Sequence, residues 1–200
     1  YAEFNNKKLN VFDCPGMDDF VGNAVTALNM TDCGVIVVNG QYGVEVGTQN
    51  IFRTANSIDK PVIFAVNKVD ADNADYDNVV AQLKDVFGPS VVPVQFPVEC
   101  GPGFNSVVDV LLMKQLTWKP EGGTPTITEI APELMDKAKE WNQALVEAAA
   151  ENDETLMDKF FDKGSLNEDE MRAGIREGLI QRSIYPVFCV SALKDMCVRR

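Results

Sequence analysis

Residues 61–70 read PVIFAVNKVD, an apolar segment that ends in the polar group NKVD. A run of apolar side chains without polar alternation is typical of a strand buried on both faces of a parallel sheet. Residues 34–39, GVIVVN, have the same character. Apolar residues at helical spacing follow each run, over residues 48–58 and 75–87. The sequence therefore predicts an α/β fold with a mostly parallel sheet and flanking helices.

Further elements lie on either side of these strands. YAEF and LNVF, at residues 1–4 and 9–12, predict a hairpin of two short strands around a polar turn. Residues 19–30 predict a helix. Residues 91–96, VVPVQF, predict a third strand of the sheet, in which Pro93 indicates an edge or a bend because proline cannot donate a ladder hydrogen bond.

The regular alternation stops after residue 99. Residues 99–119 leave open a short helix followed by a strand. Residues 131–182 are mostly helical in pattern and acidic, with a capping box that begins at Ser165 or at Asn167. YPVFCVSAL, at residues 185–193, returns to the pattern of a buried strand. We therefore predict a partial core of residues 1–99 and 183–200, interrupted by an inserted α+β subdomain of residues 100–182.

The composition is that of an ordinary folded protein with an acidic surface. The 200 residues are 46% hydrophobic and carry a formal net charge of -12. Binding along a nucleic-acid backbone needs clustered Lys and Arg, so the charge argues against DNA as a partner. No apolar run approaches the length of about 20 residues that spans a bilayer, and the first residues lack the pattern of a signal peptide. We therefore expect a cytoplasmic protein without a membrane partner.

The chain contains five cysteines and no histidine. The lack of histidine excludes Ser–His and Cys–His nucleophile pairs and histidine-ligated metals. The odd number of cysteines, with no C-x-x-C pair, favours free thiols in a reducing compartment over disulfides or a zinc site.

Asp13-Cys14-Pro15-Gly16 follows the predicted strand at residues 9–12. An aspartate at the end of a strand is suited to hold a metal-bound water. Gly16 lets the backbone N–H approach a phosphate without interference from a side chain. The spacing D-x-x-G is common, so an ordinary turn with a side-chain hydrogen bond is the alternative.

Asn67-Lys68-Val69-Asp70 offers the chemistry that distinguishes guanine from adenine. A carboxylate such as that of Asp70 accepts two hydrogen bonds from the N1–H and 2-amino groups of guanine, and adenine leaves it unpaired. The Asn67 amide is suited both to contact the base edge and to tie adjacent loops together, and the Lys68 stem is suited to cover the ring face. A polar loop with a helix N-cap is the alternative.

Ser191-Ala192-Leu193 follows the last predicted strand. Small residues at this point allow backbone N–H groups to donate hydrogen bonds to the carbonyl oxygen of guanine. The triplet carries little information by itself. The order of the three groups along the chain, each directly after a predicted strand, is what favours a guanine-nucleotide site.

The amino-acid sequences of these segments resemble those of translational GTPases, and in particular of bacterial elongation factor G. DCPGMDDF resembles their D-T-P-G-H-x-D-F, GVEVGTQNIFRTA resembles their G-V-x-x-Q-T helix start, and PVFCVSALKD resembles P-V-x-x-G-S-A-x-K-N. FNSVVDVLLMKQLTW and the acidic helices after it resemble the extra subdomain of elongation factor G. The resemblance covers essentially all 200 residues.

The resemblance implies a P-loop GTPase domain that binds GTP or GDP and Mg²⁺. Asp13, through water, and Gly16 would serve the Mg²⁺ and the γ-phosphate. Guanine would be read by Asn67, Lys68, Asp70, Ser191, Ala192 and Leu193. The implied partners are the ribosome, through a ribosomal RNA loop, and the ribosomal stalk protein, which the acidic helices would face. A merely solvated acidic surface is the alternative for those helices.

Met17 departs from the family, which places a catalytic histidine after D-x-P-G. That histidine orients the attacking water, and methionine has no N–H or O–H donor. We therefore expect impaired GTP hydrolysis. A packing role for Met17, and rescue by Asp18 or Asp19, are the alternatives.

No G-x-x-x-x-G-K-[ST] sequence is present. In the family, this phosphate-binding loop and one further strand come before residue 1 in the sequence. In the sheet, that strand lies between the strands formed by residues 9–12 and 34–39. The sheet is then expected to close the gap, leave an edge or recruit another chain. We expect weak or absent nucleotide binding by residues 1–200 alone.

Three other functions remain open. A ribosomal protection protein that ejects an antibiotic belongs to the same family. A ribosome-binding module that uses GTP as a shape switch without hydrolysis agrees with Met17. A dehydrogenase-like domain has little support, because no G-x-G-x-x-G follows a strand.

Overall fold

A computed structural model of the protein describes residues 1–4, 6–119 and 123–198. In this part of the chain the strands are β1 (Ala2–Phe4), β2 (Lys7–Leu9), β3 (Gly34–Asn39), β4 (Val62–Asn67), β5 (Val91–Pro93), β6 (Gln95–Pro97), β7 (Ser106–Asp109), β8 (Lys114–Thr117), β9 (Thr126–Thr128) and β10 (Tyr185–Cys189). The helices are α1 (Val21–Met30), α2 (Val46–Ser57), α3 (Tyr76–Phe87), α4 (Met135–Ala150), α5 (Glu154–Lys163) and α6 (Glu168–Gln181). Short 3₁₀ helices, Asp18–Phe20 and Pro132–Leu134, precede α1 and α4.

The main sheet has four parallel strands in the order β3-β4-β10-β5. The last strand of the chain, β10, lies inside the sheet, where Val187 pairs with Phe64 on one side and Pro93 on the other. α2 packs against β3 and α3 against β5. The predicted α/β fold with a mostly parallel sheet is therefore confirmed.

An aromatic cluster joins α2, α3 and the main sheet. The Phe52 ring centroid lies 4.2 Å from that of Phe87 and 5.1 Å from that of Tyr185. Phe64 is fully buried and stacks on Phe87 at 5.3 Å. Phe64 lies in the first half of β4 and Tyr185 begins β10, so these rings pack against the amino-terminal half of both strands.

The main sheet leaves an edge at β3 in the described part of the chain. Val35 and Val37 are 61% and 63% exposed there, while their neighbours Ile36 and Val38 are buried. β1 and β2 form a separate two-stranded hairpin instead of joining the sheet. Of the three outcomes expected for the gap in the sheet, the structure has the open edge.

The predicted strand at residues 9–12 is wrong beyond Leu9. β2 ends at Leu9, and Val11 and Phe12 are 73% and 54% exposed in an irregular segment. An apolar segment becomes a strand only where a neighbouring strand accepts its hydrogen bonds, and β1 reaches no further than Leu9 in its pairing. Asn5, which belongs to the predicted polar turn, lies outside the described residues.

The predicted strand at residues 91–96 is two strands in two sheets. β5 ends at Pro93 in the main sheet, and β6 begins at Gln95 in a second sheet. Val94 connects them, because its N–H donates to the Val187 carbonyl and its carbonyl accepts from the Val110 N–H, each at 3.1 Å. The bend expected at the proline is therefore present.

The second sheet is antiparallel, with the order β6-β7-β8-β9. Residues 99–119, which leave open a short helix followed by a strand, contain no α-helix in the structure and form the hairpin β7–β8. The sequence SVVD supplies branched residues that suit a strand, and β6 and β8 pair with it on both sides. The helical segment at residues 131–182 forms α4, α5 and α6 as predicted.

Lys137 on α4 connects the later helices to α3. Its ammonium lies 2.7 Å from Asp77 on α3, and it stands 4.6 Å from the ring centroid of Phe96 and 4.8 Å from that of Trp141. A cation over two aromatic faces and beside a carboxylate is held in one position. This contact joins the second sheet, α4 and the main-sheet helices, while the division of the chain into core and insert stays a prediction.

The capping box of α6 begins at Asn167. The Asn167 side chain accepts from the Glu170 N–H at 2.9 Å, and the Glu170 side chain accepts from the Asn167 N–H at 2.9 Å. The Asn167→Ala variant is expected to lower the free energy of unfolding by about 1 kcal/mol, because the Glu170 N–H in the first turn loses its side-chain acceptor. Urea unfolding measures this, with Ser165→Ala as the matched control. An equal loss in Ser165→Ala contradicts the assignment.

Candidate functional site

A cavity of about 540 Å³ lies at the carboxyl end of β4. Side chains from four loops line it: Gln41 after β3, residues after β4, Pro102 between β6 and β7, and Leu193 after β10. The lining residues are Gln41, Asn67, Lys68, Asp70, Ala71, Asp72, Pro102 and Leu193. Ligands of parallel α/β sheets bind in such crevices outside the carboxyl ends of the strands.

Asn67 holds three of these loops together. Its carbonyl oxygen accepts from the Gly40 N–H at 2.8 Å, and its side-chain Oδ1 accepts from the Ala192 N–H at 3.1 Å. A Cβ on Gly40 would lie 3.0 Å from the Asn67 carbonyl oxygen, so the close approach of the two loops favours glycine. The predicted role of Asn67 in tying adjacent loops therefore has a direct structural basis.

The turn after β4 brings Lys68 and Asp70 to the cavity. Lys68 has a left-handed φ of 62°, and its carbonyl accepts from the Ala71 N–H at 3.0 Å. Val69 points the other way and is fully buried. The N-cap of α3 is Asp75, whose side chain accepts from the Asn78 N–H at 3.0 Å. NKVD therefore does not serve as the N-cap, which was the alternative for this group.

The loop after β10 is closed by a pair of backbone hydrogen bonds. Ser191 is fully buried and exchanges N–H···O bonds of 3.1 Å with Met196. The Ala192 N–H is engaged by Asn67, and Leu193 projects to the cavity with 92% of its surface exposed. Of the three predicted residues, Leu193 is thus the one that lines the cavity, and Ser191 and Ala192 fix the loop.

Asp13, Gly16 and Met17 do not line the cavity. They lie in the irregular segment before α1, and all three are exposed. The Met17 carbonyl accepts from the Phe20 N–H at 2.9 Å, while its side chain is 65% exposed. Exposure of this extent does not agree with the packing role that was the alternative for Met17. The side chain of Asp18 lies outside the described residues.

Asp13 provides one exposed carboxylate for a metal. In the described ranges, no three Cys, Asp or Glu side chains cluster as ligands of an ion. A Mg²⁺ ion is usually held by one or two carboxylates together with waters and substrate phosphates. Asp13 therefore offers one carboxylate toward such an ion, and its water-mediated role stays a prediction.

The cysteines are free thiols, two of them buried behind the site. Cys189 ends β10, and Cys197 follows the bridge between Ser191 and Met196. Burial raises the pKa of the Cys189 thiol well above its usual value, and the Cys197 thiol raises it further. Cys189 thus stays protonated at neutral pH and is not a nucleophile.

Sequence reasoning missed Gln41, Ala71, Asp72 and Pro102 among the lining residues. Gln41 lies in the loop after β3 as Lys68 and Asp70 lie in the loop after β4, so the position of strand ends in a parallel sheet was a signal that pointed to it. Its Nε2 donates to the Asp72 carbonyl at 2.6 Å, which holds the turn after β4. Pro102 carries no such signal, because it reaches the cavity from a loop of the second sheet.

The model of the family described as the elongation factor Tu GTP binding domain matches residues 1–200. The chain belongs to that family. The crystal structure of a protein from Thermus thermophilus is similar to it, with a TM-score of 0.86 and 25% sequence identity. The similarity covers 96% of this chain and 29% of that protein, so the chain spans less than a third of the solved relative.

The predictions of a translational GTPase fold and of a GTP-binding elongation-factor domain are therefore confirmed at the level of the family. No helix in the described part of the chain has the length and apolarity needed to cross a bilayer. The roles of the individual site residues, the metal and the ribosomal partners stay predictions.

Proposed function

We propose that this GTP-binding domain belongs to a longer elongation factor of the G type, which promotes the movement of transfer RNA and messenger RNA through the ribosome. The observation that carries the proposal is the cavity after β4. Asn67, Lys68, Asp70 and Leu193 come from chain segments more than 100 residues apart, and they line one 540 Å³ space. The resemblance of residues 100–182 to the extra subdomain supports the G type over other translation factors.

In this proposal, Asp70, Lys68 and Leu193 bind the guanine base. Asp70 accepts from the N1–H and 2-amino groups, and the aliphatic stem of Lys68 covers the ring. In the described residues the Leu193 N–H has no intramolecular acceptor, while those of Ser191 and Ala192 are engaged. Leu193 therefore donates to the guanine carbonyl oxygen. Asn67 acts through its bond to Ala192, which holds that donor in place.

The phosphate side of the site rests on Asp13, Gly16 and Met17. Asp13 would hold Mg²⁺ through water, and Gly16 would donate its N–H to the γ-phosphate of a bound nucleotide. The ion would supply positive charge beside the phosphates. Met17 takes the position of the family's histidine and offers no donor to the attacking water, so hydrolysis is impaired.

The partner is the ribosome, with a ribosomal RNA loop near Met17 and the stalk protein at the acidic helices. α6 begins with three acidic residues in its first turn, and α4 and α5 each begin with one. Together with the net charge of -12, these side chains suit a basic protein surface. A protein with this partner acts in the cytoplasm, where the ribosomes are.

The test uses the full-length protein and ribosomes stalled before translocation. Movement of the messenger RNA by one codon is expected with GTP and not with ATP, and it can be followed by a fluorophore at the 3′ end of the message. Lack of movement with either nucleotide overturns the translocation role.

Met17 favours a second candidate, the binding module that uses GTP without hydrolysis. That module predicts GTP-dependent ribosome binding without movement of the message and without phosphate release. Ejection of a ribosome-bound antibiotic, again without movement, identifies the ribosomal protection protein. The same ribosome preparation separates all three functions.

A further inference from the structure

Lys194 links two walls of the cavity that come from different sheets. Its Nζ donates to the Pro102 carbonyl at 2.9 Å and to the Phe104 carbonyl at 3.4 Å. Pro102 lines the cavity itself, and Lys194 directly follows Leu193, which lines it from the other side. The lysine therefore fastens the loop after β10 to the loop between β6 and β7.

The backbone of Lys194 is fixed as well as its side chain. Its N–H lies 3.3 Å from the Ser191 hydroxyl oxygen, and Ser191 is itself held by Met196. A half-buried ammonium needs acceptors in place of water, and the two carbonyl oxygens supply them. Both ends of this residue thus hold the segment that presents Leu193.

The loop between β6 and β7 is a rigid acceptor for this lysine. The Gly101 N–H donates to the Val69 carbonyl at 2.8 Å, and the Phe104 N–H donates to the Gly101 carbonyl at 2.9 Å. Phe104 is 1% exposed, so its carbonyl is anchored by the core beneath it. Gly101 has a φ of 97°, a conformation that favours glycine. Displacement of this loop moves Val69, and with it the Lys68–Asp70 turn.

We propose that Lys194 is a positioning residue that couples guanine binding to the second sheet. Through it, the loop carrying Pro102 and the loop carrying Leu193 move together, so that nucleotide in the cavity stiffens residues 100–104 and a displacement of those residues releases nucleotide. The coupling is reciprocal, as linkage between two sites requires. This inference rests on the proposed guanine site.

The test compares Lys194→Met, which keeps the length of the side chain but loses the charge, with Lys194→Arg, which keeps the donors. Lys84→Met is the matched control, because Lys84 is an exposed lysine on α3 away from the cavity. In the full-length protein, Lys194→Met is expected to release fluorescent GDP about tenfold faster than the wild type, as expected for loss of charged hydrogen bonds. Lys194→Arg and Lys84→Met are expected to match the wild type.

Amide hydrogen exchange supplies a measurement that a purely structural lysine would not change. GDP is expected to slow exchange at residues 100–104 in the wild type and to leave it unchanged in Lys194→Met. Release of GDP at the wild-type rate by Lys194→Met, or equal protection of residues 100–104 in both proteins, overturns the inference while the guanine site stands. Lack of GDP binding by the wild type overturns the proposed function, and the inference with it.

Discussion

Replacing Met17 by histidine in the full-length protein is expected to raise ribosome-stimulated GTP hydrolysis by about 10²- to 10⁴-fold. The reason is that the attacking water needs a hydrogen-bonding partner in the transition state, and the methionine thioether is only a weak acceptor. An imidazole at this position supplies both a donor and an acceptor. Phosphate release after mixing GTP-loaded protein with ribosomes measures the rate.

Met17→Leu is the control for this experiment, because leucine is also apolar and lacks any donor. It is expected to hydrolyse GTP as slowly as the wild type. Since Met17 is 65% exposed, neither substitution is expected to change the urea midpoint of unfolding, and a rate change then reports chemistry. Rapid hydrolysis by the wild type would show that another group positions the water, and our account of residue 17 would be wrong.

The centre of the fold could be predicted because its strands are apolar on both faces. Residues 34–39 and 61–67 have the pattern of buried strands, and the structure places β3 and β4 within them. The carboxyl ends of parallel strands meet at one edge, so the sequence was sufficient to place the NKVD group beside the loop after β10. Burial on both faces, which the pattern predicts for residues 34–39, is wrong, because Val35 and Val37 are exposed on one face of β3 at the edge of the sheet.

The segment at residues 9–12 could not be predicted from its own pattern. LNVF has the composition of a strand, but pairing needs a neighbour, and β1 offers one only as far as Leu9. The same limit applies at Pro93, where one apolar run divides between two sheets. Which strand pairs with which is decided by contacts distant in the sequence, and a local pattern contains no information on them.

The cavity walls show the same difference between local and distant information. Asn67, Lys68 and Asp70 indicate a binding loop by their chemistry and their position. Pro102 reaches the same cavity only because Gly101 bonds to Val69, a contact between residues 32 positions apart in the chain. The composition of this loop gives no sign of it.

Replacing Asp70 by asparagine is expected to invert the nucleotide preference of the full-length protein from GDP to XDP, the xanthine analogue. In the proposed guanine site, the Asp70 carboxylate accepts from both the N1–H and the 2-amino group of the base. An asparagine amide keeps one acceptor and turns a donor toward the 2-amino group, where two donors repel. Xanthine has a carbonyl group at that position, and its oxygen accepts a hydrogen bond from the NH₂ group of the asparagine side chain. The ratio of the two affinities is expected to change by about 10⁴-fold, the range reached when a site built for a hydrogen bond meets the wrong partner.

Asp72→Asn is the matched control for this inversion. Asp72 lines the same cavity two residues further on, so the two variants remove the same charge from the same space. If Asp70 reads the base by geometry, Asp72→Asn keeps the preference for GDP. If the cavity selects guanine only through its negative charge, both variants weaken GDP binding alike and neither gains XDP. Equilibrium titration of each protein with both nucleotides therefore decides whether Asp70 is a specific reader of guanine or one charge among several.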